Sequence, residues 1–168
     1  MGYGLLVVCL KKPGVKAGLF YSLFFFVLLL IRSACAVYLR FFDFDKRNGQ
    51  WIVNGRPLSC DEVRFTMKRN STEKWIYETG GGWSHPIHHH FVEGRILSRN
   101  GVAITADSQE FSRKDVVWLG ENDKVEFTLK ATDYRGVYPM HCHNVVHEDH
   151  AMMLLFAVED VGDTNPNP

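Results

Sequence analysis

From residue 37 onward, apolar and polar side chains alternate in short runs instead of recurring at helical spacing. Val63, Phe65 and Met67 are separated by polar residues, and the same alternation runs through residues 125–130. A period of two is typical of strands that bury one face. We therefore expect both segments to be half-buried strands that face one core.

Turn signals separate these runs. Three Asn-Gly pairs predict tight turns, and the Gly80–Gly82 stretch interrupts the pattern of strands just before the first histidines. The pairs are Asn48-Gly49, Asn54-Gly55 and Asn100-Gly101. Residues 151–158 form a continuous apolar run suited to a strand in a sandwich interior. Short strands at this spacing, without a long helical period, predict an all-β sandwich or barrel.

The first 36 residues have a different pattern. Three lysines between positions 11 and 16 precede an apolar run from Ala17 to Ile31, and small residues follow up to Ala36. This order is typical of a signal peptide cleaved after Ala36. The alternative is an uncleaved membrane anchor, although the run is shorter than the roughly 20 residues that span a bilayer. We expect a secreted or extracytoplasmic protein, membrane-anchored if uncleaved, with its folded domain over residues 37–168.

Length, charge and cysteine content narrow the classes of protein. A chain of 168 residues holds one ordinary domain plus an appendage. Its 19 basic and 19 acidic residues balance, so no net field favours a nucleic acid partner. Cys9 and Cys35 fall in or beside the apolar segment, which leaves Cys60 and Cys142 and argues against a disulfide framework.

All eight histidines fall in two windows, residues 85–90 and 141–150. Imidazole is the commonest metal ligand, and the second window adds the thiolate of Cys142 and the thioether of Met152. Soft donors of this kind favour copper over an oxygen-loving ion. Zinc is the alternative, but zinc sites are typically tetrahedral and lack thioether donors.

Strand periodicity divides the second window between two sites. His141 and His143 project to one face of a strand, while Cys142 between them projects to the other. Cys142, His147 and Met152 lie in a Cys-x4-His-x4-Met loop. With His85 from the first window, they supply the two histidines, one cysteine and weak axial methionine of a blue copper centre.

The remaining ligands form a second set. His88 and His90 share a strand face, and with His141 and His143 they give four imidazoles for a second metal site. His89 and His150 are expected to be non-ligands, and Cys60 an inert or surface thiol. Met153 is the alternative axial group, and either methionine alone could be a core residue of the final strand. We expect Met152, because of its spacing.

The motifs resemble the multicopper oxidases, in particular the C-terminal cupredoxin domain of the spore-coat laccase and bilirubin oxidase branch. The likeness covers roughly residues 49–158. It is carried by four stretches: residues 83–90 (WSHPIHHH), 96–101 (ILSRNG), 113–116 (RKDV) and 138–153 (YPMHCHNVVHEDHAMM). Paired His-Pro-x-His-x-His and His-Cys-His-x3-His-x4-Met motifs in this order are highly specific. The resemblance implies a cupredoxin-like Greek-key β-sandwich.

The resemblance also implies roles for individual residues. Type 1 copper would be held by His85, Cys142, His147 and Met152. His88 would be a type 2 ligand, and the type 3 ligands would be His90, His141 and His143. Glu148 matches a carboxylate that in this branch is proposed to deliver protons near the oxygen site, although a solvated acidic turn is the alternative. His89 departs from the pattern, because an aliphatic residue is usual there.

In the family, type 1 copper accepts electrons from a reducing, phenol-like substrate. The electrons pass through a His-Cys-His segment to a trinuclear copper site that reduces dioxygen to water. Relatives draw four further histidines from two other His-x-His motifs in an N-terminal cupredoxin domain, and this sequence has no histidines outside the two windows above to form them. We therefore expect an oxidase only when another chain or domain completes the trinuclear site. The alternatives are a stand-alone blue-copper electron carrier and a non-catalytic cupredoxin remnant.

Overall fold

The computed structural model describes residues 38–162, so the predicted export segment, Cys9 and Cys35 lie outside the described residues. Within this range the chain forms strands joined by short turns and two short helical segments. The strands are β1 (Tyr38–Arg47), β2 (Gln50–Val53), β3 (Val63–Lys68), β4 (Thr72–Thr79), β5 (His85–His89), β6 (Gly94–Arg99), β7 (Val102–Ala103), β8 (Val116–Leu119), β9 (Lys124–Lys130), β10 (Gly136–Cys142) and β11 (Met153–Glu159). A 3-10 helix covers Gln109–Phe111, and α1 covers Val145–Asp149.

The strands form two sheets that enclose one aromatic core. One sheet has the order β2-β1-β4-β9-β6-β7 and the other β3-β11-β10-β5-β8. Two pairs, β1 with β4 and β3 with β11, are parallel, and the other pairs are antiparallel. Trp75 and Tyr77 of β4 are fully buried, and the Trp75 ring meets Phe156 of the opposite sheet at a centroid distance of 5.7 Å. The all-β sandwich prediction is confirmed.

The predicted tight turns are present. At Asn48-Gly49 and Asn100-Gly101, both residues adopt positive φ, at 51° and 80° and at 51° and 79°. Two consecutive positive φ angles are typical of the type I′ hairpin turn, which asparagine and glycine adopt at low cost. The first of these turns joins β1 to β2 and so places Trp51 opposite Lys46 in the ladder.

The final apolar run is shorter as a strand than its sequence suggests. Strand β11 begins at Met153 and not at Ala151, because Ala151 has a φ of 69° and its amide donates to the carbonyl of Glu148. This left-handed residue closes the turn after α1, and the strand starts beyond it. Over residues 38–162, no helix is long and apolar enough to cross a membrane.

Candidate metal centre

Strands β5 and β10 are neighbours, and their register brings the two histidine windows together. His141 pairs with His88, and Cys142 pairs with Ile87. Because alternate residues of a strand face opposite sides, His141 and His88 lie on one side of this sheet and Cys142 on the other. The division of donors predicted from strand alternation is thus present in the structure.

On the core side, three donors converge beneath the surface. The Sγ atom of Cys142 lies 3.5 Å from Nδ1 of His85 and 3.4 Å from Nδ1 of His147, and the two nitrogens are 3.1 Å apart. All three side chains are buried. Met152 is also fully buried. Its backbone amide donates to the carbonyl of His147, and its carbonyl accepts from the backbone amide of Cys142. We call His85, Cys142, His147 and Met152 the inner cluster.

The inner cluster has the chemistry and spacing of a metal site. Two nitrogens bound to one tetrahedral ion lie about 3.3 Å apart, given metal–nitrogen distances of about 2.0 Å. Burial, and then the neighbouring His147, lowers the pKa of His85 to about 4, so this imidazole is neutral and can offer a ring nitrogen to a cation. Burial raises the pKa of the Cys142 thiol to about 11 in the protein alone, and a coordinated cation would deprotonate it. The donor set therefore fits a copper ion.

On the other side of the sheet, His88, His90 and His141 bring their ring nitrogens together. The Nε2 atoms of His90 and His141 are 3.2 Å apart, and the rings of His88 and His90 are 4.6 Å apart. Nδ1–H of His88 donates to the carbonyl of Asp115 at 3.1 Å, which leaves Nε2 of His88 as a free donor for a metal. These three residues and His143 are called the outer cluster.

His143 lies at the edge of the outer cluster. It follows the last residue of β10, it is exposed, and its ring centroid is 5.3 Å from that of His141 and 5.7 Å from that of His88. Its nitrogens do not join the close group formed by the other three histidines. The outer cluster thus opens toward solvent at His143.

Glu148, on α1, lies against the outer cluster. Its Oε2 atom is 3.4 Å from Nδ1 of His141, the same nitrogen that lies 3.3 Å from the carbonyl of Cys142. Both acceptors favour a proton on Nδ1 and leave Nε2 of His141 to face His90. Nε2 of His141 can then accept a hydrogen bond from Nε2–H of His90, 3.2 Å away, or bind a metal ion.

The residues expected to be non-ligands belong to neither group of converging donor atoms. His89 points into the core, where its ring packs 4.9 Å from that of Phe127 and 6.0 Å from that of Trp75. His150 is exposed and bonds through Nδ1 to the carbonyl of Val146 at 2.7 Å. Cys60 is an exposed free thiol. Met153 lies opposite His141 in the ladder and is only partly buried, whereas Met152 is fully buried.

The pattern of donors did not indicate what covers the inner cluster. Trp51 of β2 stacks on His147, with ring centroids 3.5 Å apart and an angle of 25° between the planes. Trp83 meets Trp51 edge to face at 5.1 Å. Spacing within a sequence cannot reveal this contact, because β2 and α1 lie far apart in the chain. The only signal was the Asn48-Gly49 turn, which fixes the register of Trp51.

Comparison with known proteins points to one family. The sequence profile described as multicopper oxidase matches residues 34–162. The chain is similar to a bilirubin oxidase from Albifimbria verrucaria, with 37% identity over 70% of this chain and 21% of that protein, and to a laccase from Haloferax volcanii, with 32% identity over 68% and 20%. It thus spans about a fifth of the length of these relatives. A multicopper oxidase structure from Pediococcus acidilactici shares the fold, with a TM-score of 0.68 and 24% identity over 75% of this chain and 27% of that one.

Proposed function

The chain belongs to the multicopper oxidase family, and from this premise we propose that residues 37–168 form the copper-binding oxidoreductase domain of a laccase-like oxidase. The inner cluster would hold type 1 copper. The outer cluster would contribute His88 as a type 2 ligand and His90, His141 and His143 as type 3 ligands. Copper at these positions would supply the one-electron redox chemistry.

One observation carries this proposal. Cys142 belongs to the inner cluster, and its direct neighbour His141 belongs to the outer cluster, 3.2 Å from His90. The two clusters are therefore joined by a single peptide unit. A protein that only bound two unrelated ions would have no need of this covalent link, whereas electron transfer between two coppers benefits from it.

The protein's own residues would have three tasks. Buried donors hold the inner cluster in a nearly fixed geometry, so that few atoms move when the ion changes oxidation state. The carbonyls and carboxylate at Asp115, Cys142 and Glu148 fix the tautomers of His88 and His141. We also propose that Glu148, which is partly exposed beside His141, relays protons toward the oxygen site.

The outer cluster requires a partner. Its four imidazoles are half of what three coppers need in this family, and it opens to solvent at His143. We propose that a second cupredoxin domain or chain with two His-x-His motifs supplies the other half. The assembly would take electrons from a reducing, phenol-like small molecule and pass them to dioxygen. The basic and apolar pattern of residues 11–36 supports an extracytoplasmic location.

A stand-alone electron carrier is the second candidate. The observation in its favour is that the inner cluster is complete and buried within one chain, while the outer cluster is open. Retention of His88, His90 and His143 weighs against it, since a carrier has no chemical use for them.

Copper counting on the full chain tests the two candidates. The oxidase reading predicts an intense sulfur-to-copper absorption, more than one copper per chain, and oxygen uptake only after a partner carrying two His-x-His motifs is added. A carrier would bind one copper, show the absorption, and take up no oxygen with or without the partner. Protein that folds with copper but shows no sulfur-to-copper absorption contradicts both.

A further inference from the structure

The ring of His147, a member of the inner cluster, is shielded from solvent by Trp51 of β2. Its exposed fraction is 3%, because the indole of Trp51 lies face to face with it. Trp51 itself is only 4% exposed. A molecule approaching the inner cluster from this side therefore cannot touch His147.

Trp83 is the aromatic surface that such a molecule meets. Its indole is 46% exposed, contacts Trp51 at 5.1 Å and lies 6.1 Å from the ring of His147. Three rings thus lead from solvent to the inner cluster. A planar aromatic molecule can stack on the outermost ring and gain affinity beyond that given by the apolar area it buries.

A positive charge lies beside this surface. The Nζ atom of Lys46 is 4.6 Å from the ring centre of Trp51 and 5.4 Å from that of Trp83. Lys46 is exposed, and over residues 38–162 its ammonium group makes no ion pair. Its three N–H donors remain available to a ligand.

The neighbouring carboxylates are already engaged. Oδ2 of Asp45 accepts from Arg47 at 2.9 Å, and Oδ1 of Asp45 accepts the backbone amide of Lys46 at 2.7 Å. Asp43 lies 3.5 Å from the same guanidinium group of Arg47. Arg47 is thus shared by two acids, and the ammonium group of Lys46 is the cation left free for an incoming anion.

We propose that Trp83, Trp51 and Lys46 form the docking site of the reducing substrate, and that this substrate is a small aromatic anion, such as a phenol carrying a carboxylate. The aromatic ring stacks on Trp83, and the anionic group pairs with Lys46. That the docked molecule is a substrate rests on the proposed function, but the docking itself requires neither copper nor a partner.

The docking site can be tested on the copper-free full chain with two redox-inert probes. These are 4-fluorobenzoate and its neutral analogue 4-fluorobenzamide, with binding followed by fluorine NMR. A single partly exposed ion pair is worth up to about 1 kcal/mol, which is about fivefold in affinity. We expect 4-fluorobenzoate to bind about fivefold more tightly than 4-fluorobenzamide, with the difference shrinking at high salt.

Variants assign the preference to individual side chains. Lys46→Met should make the two affinities equal, Lys46→Arg should keep the preference, and Trp83→Ala should weaken both probes. Lys130→Met is the matched control, since Lys130 is an exposed lysine at the C-terminal end of β9 and is not part of the docking site, and it should change nothing.

Three outcomes would overturn the docking proposal: equal affinities in the wild-type chain, no saturable binding of either probe, or binding of 4-fluorobenzoate that survives Trp83→Ala unchanged. None of these outcomes bears on the proposed copper sites, because the probes are tested without copper. Conversely, loss of the proposed function would show as absent sulfur-to-copper absorption while the probe preference persisted. The two failures are therefore distinguishable.

Discussion

The inner and outer clusters lie on opposite sides of the same two strands, yet they differ in completeness. The inner cluster draws all four donors from one chain and buries them, with Trp51 as its cover. The outer cluster has partly exposed rings, and His143 at its edge faces solvent. The candidate ligands on the core side of the sheet are all buried, whereas those on the other side include partly buried and exposed rings.

This difference has a physical cause. Side chains on the core side of β5 and β10 are enclosed by the opposite sheet, so a thiol and two imidazoles can be buried there without help from another protein. Within residues 38–162, side chains on the outer side are covered by α1 and nearby loops, and His88 and His90 stay partly exposed. This exposure is why we propose that a partner completes the outer cluster.

The largest expected effect is on the inner cluster, through Cys142→Ser. A hydroxyl is a harder donor that stays protonated, so the sulfur-to-copper absorption should vanish completely. Absorption spectra of the copper-loaded full chain measure this. Cys60→Ser is the matched control and should keep full intensity, because Cys60 is exposed and belongs to neither cluster. Blue colour that survives Cys142→Ser would refute the assignment of the thiolate.

The next effect separates the clusters, through His88→Ala. Removing groups that only orient a ligand costs about 10–100-fold in metal affinity, so removing a ligand itself should cost at least about a hundredfold. We expect the copper bound by the outer cluster to be lost while the sulfur-to-copper absorption is unchanged, as measured by metal analysis alongside spectra.

His150→Ala is the control for this experiment, since His150 bonds only to a backbone carbonyl of α1. It should retain both coppers. If His88→Ala removed the absorption and the second copper together, the separation of donors by sheet face would be wrong.

The sequence alone was sufficient to sort the candidate donors by sheet face, but it did not predict their surroundings. Strand alternation divides Cys142 from His141 and His88 from His89, because a period of two leaves no freedom once the strands are identified. Asn-Gly pairs located turns for the same kind of local reason. These features depend on neighbours in the chain.

Features that depend on distant contacts could not be predicted. Trp51 covering His147, Asp115 orienting His88 and the edge position of His143 follow from how β2, α1 and the loop before β8 pack. The start of β11 at Met153 depended on the left-handed backbone of Ala151, which favours glycine or asparagine and so gives no signal in an alanine.

The smallest effect concerns a histidine on the core side of β5 that binds no metal. Nε2 of His89 is buried without a hydrogen-bond partner, and Nδ1 of His89 lies 3.5 Å from the hydroxyl of Tyr77, which is also buried. An unsatisfied buried polar group costs about 1–3 kcal/mol. Replacing both partners with apolar side chains should therefore raise the free energy of unfolding, whereas replacing either one alone leaves the other unpaired.

We expect Tyr77→Phe to destabilise the copper-free chain by about 1 kcal/mol, His89→Leu to be near neutral, and the double variant to be about 1–2 kcal/mol more stable than the wild type. Chemical denaturation measures all three, and copper binding should be unaffected. His150→Leu is the control, and as an exposed change it should stay within about 0.5 kcal/mol. A double variant less stable than either single one would mean that His89 is held by contacts that outweigh its unpaired nitrogen.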